Sequence, residues 1–302
     1  MCGIVGYMDK TEGRQGCLGE SILGMLDALE CRGPDSAGVA LFGAAQDRRY
    51  IVRVKLGEAG DLTDKARELA EVAASFCGES QFSNIGSYAR FLVDGDSDQK
   101  QLTARIEALD ADFEVVSIGR ELEIVKQVGS PRNLEATYGI SAMRGTHGLG
   151  HTRLSTESRV DLSHSQPFWS HGYPDLAIVH NGHITNYHQL RRRYEQRGVR
   201  FYTENDSEII AIFLAQRLSG GCDLTGALHS MLRELDGSYS CVVGTASELG
   251  FVKDPFGLKP LIVAETDRFV AIATEEVAIR SRFRGEYTAR EANVKEVRVW
   301  RN

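Results

Sequence analysis

A strand pattern starts one residue after Cys2: Gly3-Ile4-Val5-Gly6-Tyr7 reads as a β-strand almost from the initiator methionine. A chain built this way cannot leave its N-terminus trailing in solvent, because that strand has to be paired inside the core. Once Met1 is removed, as a small second residue permits, Cys2 carries a thiol and a free α-amino group on one residue. An amine with pKa near ~8 can take the proton of a thiol near ~8.5 at little cost, so one residue can supply both nucleophile and base. Judged alone, the plainer reading of Cys2, a small buried strand residue, is the stronger one.

Farther along, Ile22, Leu23, Met25, Leu26 and Leu29 follow helical spacing up to the turn chemistry of Arg32-Gly33-Pro34-Asp35, and a strand over 37–42 follows. Between residues 44 and 143 the signals weaken. Helical patterns near 62–76 and 99–109 alternate with strands near 84–93, 113–118 and 122–128, which predicts an inserted α/β subdomain carrying no chemical motif. From Gly148 the pattern becomes dense. Strands over 175–180 and 199–202 flank a helix over 187–197, and a helix over 207–218 starts behind an Asp206/Ser207 capping pair. The stripe Leu224, Ala227, Leu228, Met231, Leu232 and Leu235 is a 3.6-period helix closed by Gly237. Strands over 239–244, 249–253, 260–264 and 269–273 complete the pattern. Many strands bracketed by paired helices predict an α+β architecture of stacked sheets with helices outside. With 302 residues, 42% of them apolar, and no linker or repeat, one domain over 1–302 is expected.

A net charge of -7 argues against nucleic-acid binding, and Arg191 to Arg193 read as a solvated helix face. No apolar stretch approaches the ~20 residues of a membrane helix, and Asp9 and Lys10 interrupt the N-terminal apolar residues too early for a secretory signal. A cytoplasmic location is expected. The six cysteines contain no C-x-x-C pair, which predicts small buried hydrophobes rather than disulfides or zinc ligands. The pairs His147/His151 and His180/His183 have no carboxylate or thiolate at ligand spacing, so no metal is expected.

Six blocks, in order, change the weight given to Cys2. They are Met1-Cys2-Gly3-Ile4-Val5-Gly6, Arg32-Gly33-Pro34-Asp35-Ser36, Gly150-His151-Thr152-Arg153-Leu154-Ser155-Thr156, Val179-His180-Asn181-Gly182, Glu204-Asn205-Asp206-Ser207-Glu208, and Asp254-Pro255-Phe256-Gly257-Leu258-Lys259-Pro260-Leu261. In these blocks the chain resembles the class II glutamine amidotransferases, whose fold is the four-layer αββα sandwich of Ntn hydrolases. The resemblance implies hydrolysis of L-glutamine through a Cys2 thioester. Asn181 and Gly182 suit an oxyanion hole, since an amide NH2 and a backbone N–H at a strand end can face one oxygen; a bare Asn-Gly turn is the alternative. Arg153 offers a planar fork for the substrate α-carboxylate, and the resemblance gives its arginine that task. It also assigns Asp206 to the α-ammonium, a role compatible with helix capping. Arg32, Asp35 and Thr156 are implied as supporting residues, and 254–261 is expected to be a structural hairpin. Two departures leave gating open: Leu154 stands where an aromatic residue often follows the arginine, and Glu157-Ser158 replace a histidine common after the threonine.

His164-Ser165-Gln166-Pro167-Phe168 looks like the corresponding stretch of glutamate synthases. With the insertion and the length, it most resembles stand-alone amidotransferase subunits of glutamate-synthase-like systems, such as the A subunit of N-methylglutamate synthase and GlxB-type proteins. That likeness implies partner subunits carrying FMN and an iron–sulfur cluster, with no cofactor on this chain. An Ntn hydrolase with another substrate and a non-catalytic scaffold subunit are the alternatives.

Overall fold

The computed structural model describes residues 2–11, 17–77, 81–155 and 159–302. In chain order its first half contains β1 (Gly3–Asp9), α1 (Leu18–Asp27), β2 (Ser36–Phe42), β3 (Arg49–Lys55), α2 (Thr63–Cys77), β4 (Ser83–Ile85), β5 (Tyr88–Asp94), α3 (Gln99–Glu107), β6 (Glu114–Gly119), β7 (Leu122–Val128), α4 (Pro131–Tyr138) and β8 (His147–Arg153). The second half adds β9 (Phe168–Trp169), β10 (Ala177–Ile184), α5 (Tyr187–Glu195), α6 (Asp206–Ser219), α7 (Leu224–Glu234), β11 (Gly237–Gly244), β12 (Glu248–Lys253), β13 (Ile262–Glu265), β14 (Phe269–Ala273), α8 (Glu276–Arg282), β15 (Ala289–Glu291) and β16 (Val297–Arg301).

β1 occupies the middle of a seven-stranded sheet ordered β15-β13-β14-β1-β8-β2-β7, and a five-stranded sheet runs β16-β12-β11-β10-β9. Alternation along each strand decides what the layers bury. Ile4 and Met8 of β1 pack against Val179 of β10 and Val242 of β11, between the sheets. Val5 and Tyr7 face the other way, onto Ile22, Met25 and Leu26 of α1 and Ile279 of α8. On the far side, Ile178 and Tyr239 meet α6 and α7 through Ile209, Phe213, Leu228 and Met231. The result is a helix–sheet–sheet–helix sandwich. Among the described residues, no helix is long and apolar enough to cross a membrane.

The sequence pattern treats 44–143 as one insertion, but the structure divides it. β4-β5-β3-β6 form a separate four-stranded sheet with α2 and α3 packed on it, whereas β7 joins the large sheet beside β2 and α4 packs against α1. The separate layer therefore ends before Leu122. Its seam with the main body is charged and buried. Arg53 of β3 and Arg90 of β5 both donate to Glu123 of β7, at 2.8 Å and 2.9 Å from their Nε atoms.

Other expectations shift as well. Residues 199–202 form no strand. The 254–261 segment is not a hairpin, since β12 and β13 belong to different sheets and the segment crosses between them. Asp254 organises that crossing: its carboxylate accepts from Phe256, Gly257 and Tyr239 backbone N–H groups at 2.6, 3.1 and 3.0 Å. Against the expectation of small buried hydrophobes, Cys17 and Cys31 are exposed and Cys2 and Cys222 half-buried, while Cys241 is buried.

Candidate active site

Cys2 sits where β1 enters the large sheet, at the end of β8 and one strand away from β14. Four elements converge on it. Its carbonyl oxygen accepts from Arg32 Nε at 3.2 Å and from Asn181 Nδ2 at 3.0 Å, and its Sγ lies 3.7 Å from the Leu154 carbonyl. Arg32 is held in turn by Glu275, which follows β14. The 32–35 turn presses on the end of β8 closely enough that a Cβ on Gly33 would come 2.5 Å from Arg153 N. Asp35 pins the next stretch, accepting Ser155 N–H at 2.7 Å.

Asn181 and Gly182 are not at a strand end. They lie within β10, paired with Ser240 and Tyr239 of β11, and Gly182 holds φ at +134°. A side chain there would meet the Ser238 carbonyl at 2.0 Å, so close backbone approach accounts for the glycine. Asn181 shares the strand face of Val179 and thus points between the sheets, toward Cys2. Its second N–H has only a long contact, 3.5 Å to Thr274 Oγ1.

Arg153 ends β8 with its side chain buried, and Nη1 donates to the Arg159 carbonyl at 2.8 Å. Burial lowers its pKa, against the opposing pull of Cys2, Asp161 and Asp35 nearby. Asp206 opens α6, but the helix cap is Asn205, whose side chain accepts from Ser207 N–H at 3.0 Å. The Asp206 carboxylate instead accepts Ile184 N–H at 2.8 Å, two residues beyond Gly182, and its other oxygen lies 3.7 Å from His180 Nδ1. Thr156 lies outside the described residues.

The structure thus gathers Cys2, Arg32, Asn181 and the 153–155 segment directly, and ties Asp206 to the strand that carries Asn181 and Gly182. The sequence did not point to Thr274, which accepts from Ile4 N–H at 2.8 Å and stands beside Asn181, or to Glu275. Their signal is positional: both follow the last residue of the strand that pairs with β1. Among the described residues, no group of three or more His, Cys, Asp or Glu is placed to hold a metal ion.

Comparison with known proteins gives a consistent picture. A family model described as a glutamine amidotransferase domain matches residues 151–281. The chain is 36% identical over 286 residues to a putative glutamine amidotransferase of Methanothermobacter thermautotrophicus, covering 93% of each. It is 37% identical over 282 residues to the glutamine amidotransferase-like protein GlxB of Rhizobium meliloti, covering 92% of this chain and 91% of that one. In fold it is similar to the glutamine phosphoribosylpyrophosphate amidotransferase of B. subtilis, with a TM-score of 0.61 at 20% identity over 99% of this chain and 49% of the other.

Proposed function

The chain belongs to the class II glutamine amidotransferases, enzymes of the N-terminal-nucleophile type, and on that premise we propose that Cys2 is its nucleophile and that the ammonia it releases passes to a glutamate-synthase-like partner. The observation that carries the first part is the arrangement around Cys2. Its carbonyl is fixed by Arg32 and Asn181 and its thiol is aimed at the Leu154 carbonyl, beside the end of β8 that carries Arg153.

With Met1 removed, the α-amino group accepts the thiol proton and the thiolate attacks the side-chain carbonyl carbon of glutamine. Negative charge then collects on that oxygen. Asn181 Nδ2 can donate its second hydrogen there, beside the Gly182 N–H. The C–N bond breaks as the α-ammonium returns its proton to the leaving nitrogen, releasing ammonia and leaving a thioester. Water, deprotonated by the same amine, hydrolyses the thioester to glutamate and regenerates the thiol. Arg153 takes the substrate α-carboxylate by paired hydrogen bonds, and Asp206 takes the α-ammonium with the oxygen that Ile184 does not use.

The second part rests on the resemblance of His164-Ser165-Gln166-Pro167-Phe168 to the corresponding stretch of glutamate synthases. On this reading the flavin and iron–sulfur chemistry resides on the partner, and N-methylglutamate synthesis is the finer form of the proposal. Intact mass and glutaminase rate, for wild type beside Cys2→Ala, test the nucleophile. Loss of Met1, with glutamate release and labelling by 6-diazo-5-oxo-L-norleucine that both vanish in Cys2→Ala, is the expected result. Processed protein that neither consumes glutamine nor takes the label, even with co-purified partner subunits, would favour a scaffold role. Transfer of amide nitrogen-15 from glutamine to product in the reconstituted complex tests the delivery.

A further inference from the structure

Residues 159–165 run from the Arg153 guanidinium back to the separate four-stranded layer, and three charged side chains of that layer hold them. Glu58, just after β3, accepts Leu162 N–H with Oε2 at 2.9 Å, while its Oε1 lies 3.1 Å from Lys55 Nζ. Lys55 also donates to Ser163 Oγ at 2.5 Å, and the Ser163 hydroxyl donates to Glu114 of β6. Within the segment, Asp161 accepts both from His164 N–H at 2.8 Å and from its ring at 2.7 Å, and Ser165 Oγ donates to the Asp161 carbonyl at 2.6 Å. The far end of this braced turn is Arg159, whose carbonyl takes Arg153 Nη1.

These contacts are not loose surface pairs. Lys55 and Glu114 lie 3.2 Å apart with side chains only 10% and 13% exposed. Burial alone would depress the Lys55 ammonium, but Glu114 and Glu58 beside it carry its pKa above the ordinary lysine value, so the charge is anchored where it stands. Hydrogen bonds from the added layer thus brace the 161–165 turn, and two residues of backbone carry on from it to the Arg159 carbonyl that Arg153 donates to.

We propose that Glu58 and Lys55 are positioning residues for glutamine: the added layer fixes the 161–165 turn and thereby holds the Arg153 guanidinium in the orientation that receives the substrate α-carboxylate. This rests on the assignment of Arg153 to that carboxylate. It gives the weakly patterned 44–121 segment a part in the reaction, setting the affinity for glutamine rather than the chemistry at Cys2.

The test uses Glu58→Ala, because that side chain is 45% exposed and its loss opens no buried hole, while Lys55 keeps Glu114 and Ser163. Loss of one hydrogen bond that orients a charged group predicts a KM for glutamine raised roughly fivefold to tenfold, with kcat changed less than about twofold. Glu58→Gln retains an oxygen for Leu162 N–H and is expected to restore KM to within about twofold of wild type. Labelling of Cys2 by 6-diazo-5-oxo-L-norleucine should slow in Glu58→Ala by the KM factor, whereas iodoacetamide, which has no α-carboxylate, should label at the wild-type rate. Unchanged KM and unchanged norleucine labelling in Glu58→Ala overturn the proposal. So does a fall in iodoacetamide labelling together with a lower thermal midpoint, which would mark a general structural role. If Arg153→Ala itself leaves KM unchanged, the carboxylate assignment fails and the positioning role falls with it; if neither reagent labels wild-type Cys2, the nucleophile assignment has failed instead.

Discussion

An amide side chain can hold a neighbouring residue in place and still stabilise charge, because its NH2 carries two hydrogens, and Asn181 commits only one of them firmly, to the Cys2 carbonyl. Asn181→Ala should therefore lower kcat for glutaminase by about 10²- to 10³-fold, the usual cost of one oxyanion donor, with KM much less affected. Steady-state rates at saturating glutamine decide this, and a loss confined to KM would remove Asn181 from the oxyanion role. Gly182→Ala is a harsher change. With φ at +134° and the Ser238 carbonyl 2.0 Å from the new Cβ, β10 must shift against β11, so activity and thermal midpoint should fall together. The residues proposed for the chemistry stand out in the sequence because thiol, amide, guanidinium and carboxylate are each the type their proposed task requires. Thr274 was not: it matters because a hydroxyl meets Ile4 N–H across 270 residues of chain, a contact no local pattern records.

Elements were legible where one periodicity ruled and misleading where tertiary pairing decided. The α7 stripe forms the helix the sequence predicts, but it ends at Glu234 with Leu235 already extended, and Gly237 opens β11 rather than closing the helix. Residues 199–202 have the β-branched and aromatic composition of a strand but find no partner strand, while 122–128 trade the weak pattern of their neighbours for a full ladder with β2. The start of α6 shows how close two readings can lie. Asn205, with extended backbone and its side chain on Ser207 N–H, is the cap, which frees the Asp206 carboxylate to accept Ile184 N–H on a neighbouring strand. The two residues should separate by experiment. Asn205→Ala is expected to cost about 1 kcal/mol of stability, read as a lower urea midpoint, with a smaller effect on kcat. Asp206→Asn should keep the midpoint, since the amide oxygen can still accept Ile184 N–H, yet raise KM for glutamine at least about tenfold by removing the charge that pairs with the α-ammonium. The reverse pattern would return the capping role to Asp206.

At the scale of the whole molecule, the layers enclose histidines that cannot be charged without cost. Burial lowers His147 and His151, both on β8, to about 4 and about 3, and lowers His171, at the seam with the added layer, to about 4; His180 shifts the same way. A histidine depressed by folding binds its proton more readily in the unfolded chain. Its contribution to stability is therefore intact above the unfolded value of ~6.5 and is lost as pH falls from there toward the folded value. Glu121 opposes this, because burial and the neighbouring Asp175 raise it to about 7, and its penalty fades over the same range. Burial also raises Glu208, Glu107 and Asp27, which oppose the histidines toward the acid end of the range, so the fall should be steepest between pH ~6.5 and ~5.5, roughly 1 to 3 kcal/mol per pH unit, and shallower below. Below that window Glu114 and Glu123 extend the decline: burial would raise both, but Lys126 and Lys55 hold the first low and Arg53 and Arg90 the second. Urea midpoints at pH 7.5, 6.5, 5.5 and 4.5 measure the slope. In His147→Gln, which cannot take a proton, the slope should flatten by about one proton, or ~1.4 kcal/mol per unit, even though losing the ring stacked on Phe42 lowers the midpoint at pH 7.5. A slope that His147→Gln leaves unchanged would show that solvent reaches this ring, and that the tight packing between β8 and the facing sheet is not what keeps it neutral, whereas a level wild-type midpoint alone could reflect the opposing carboxyls.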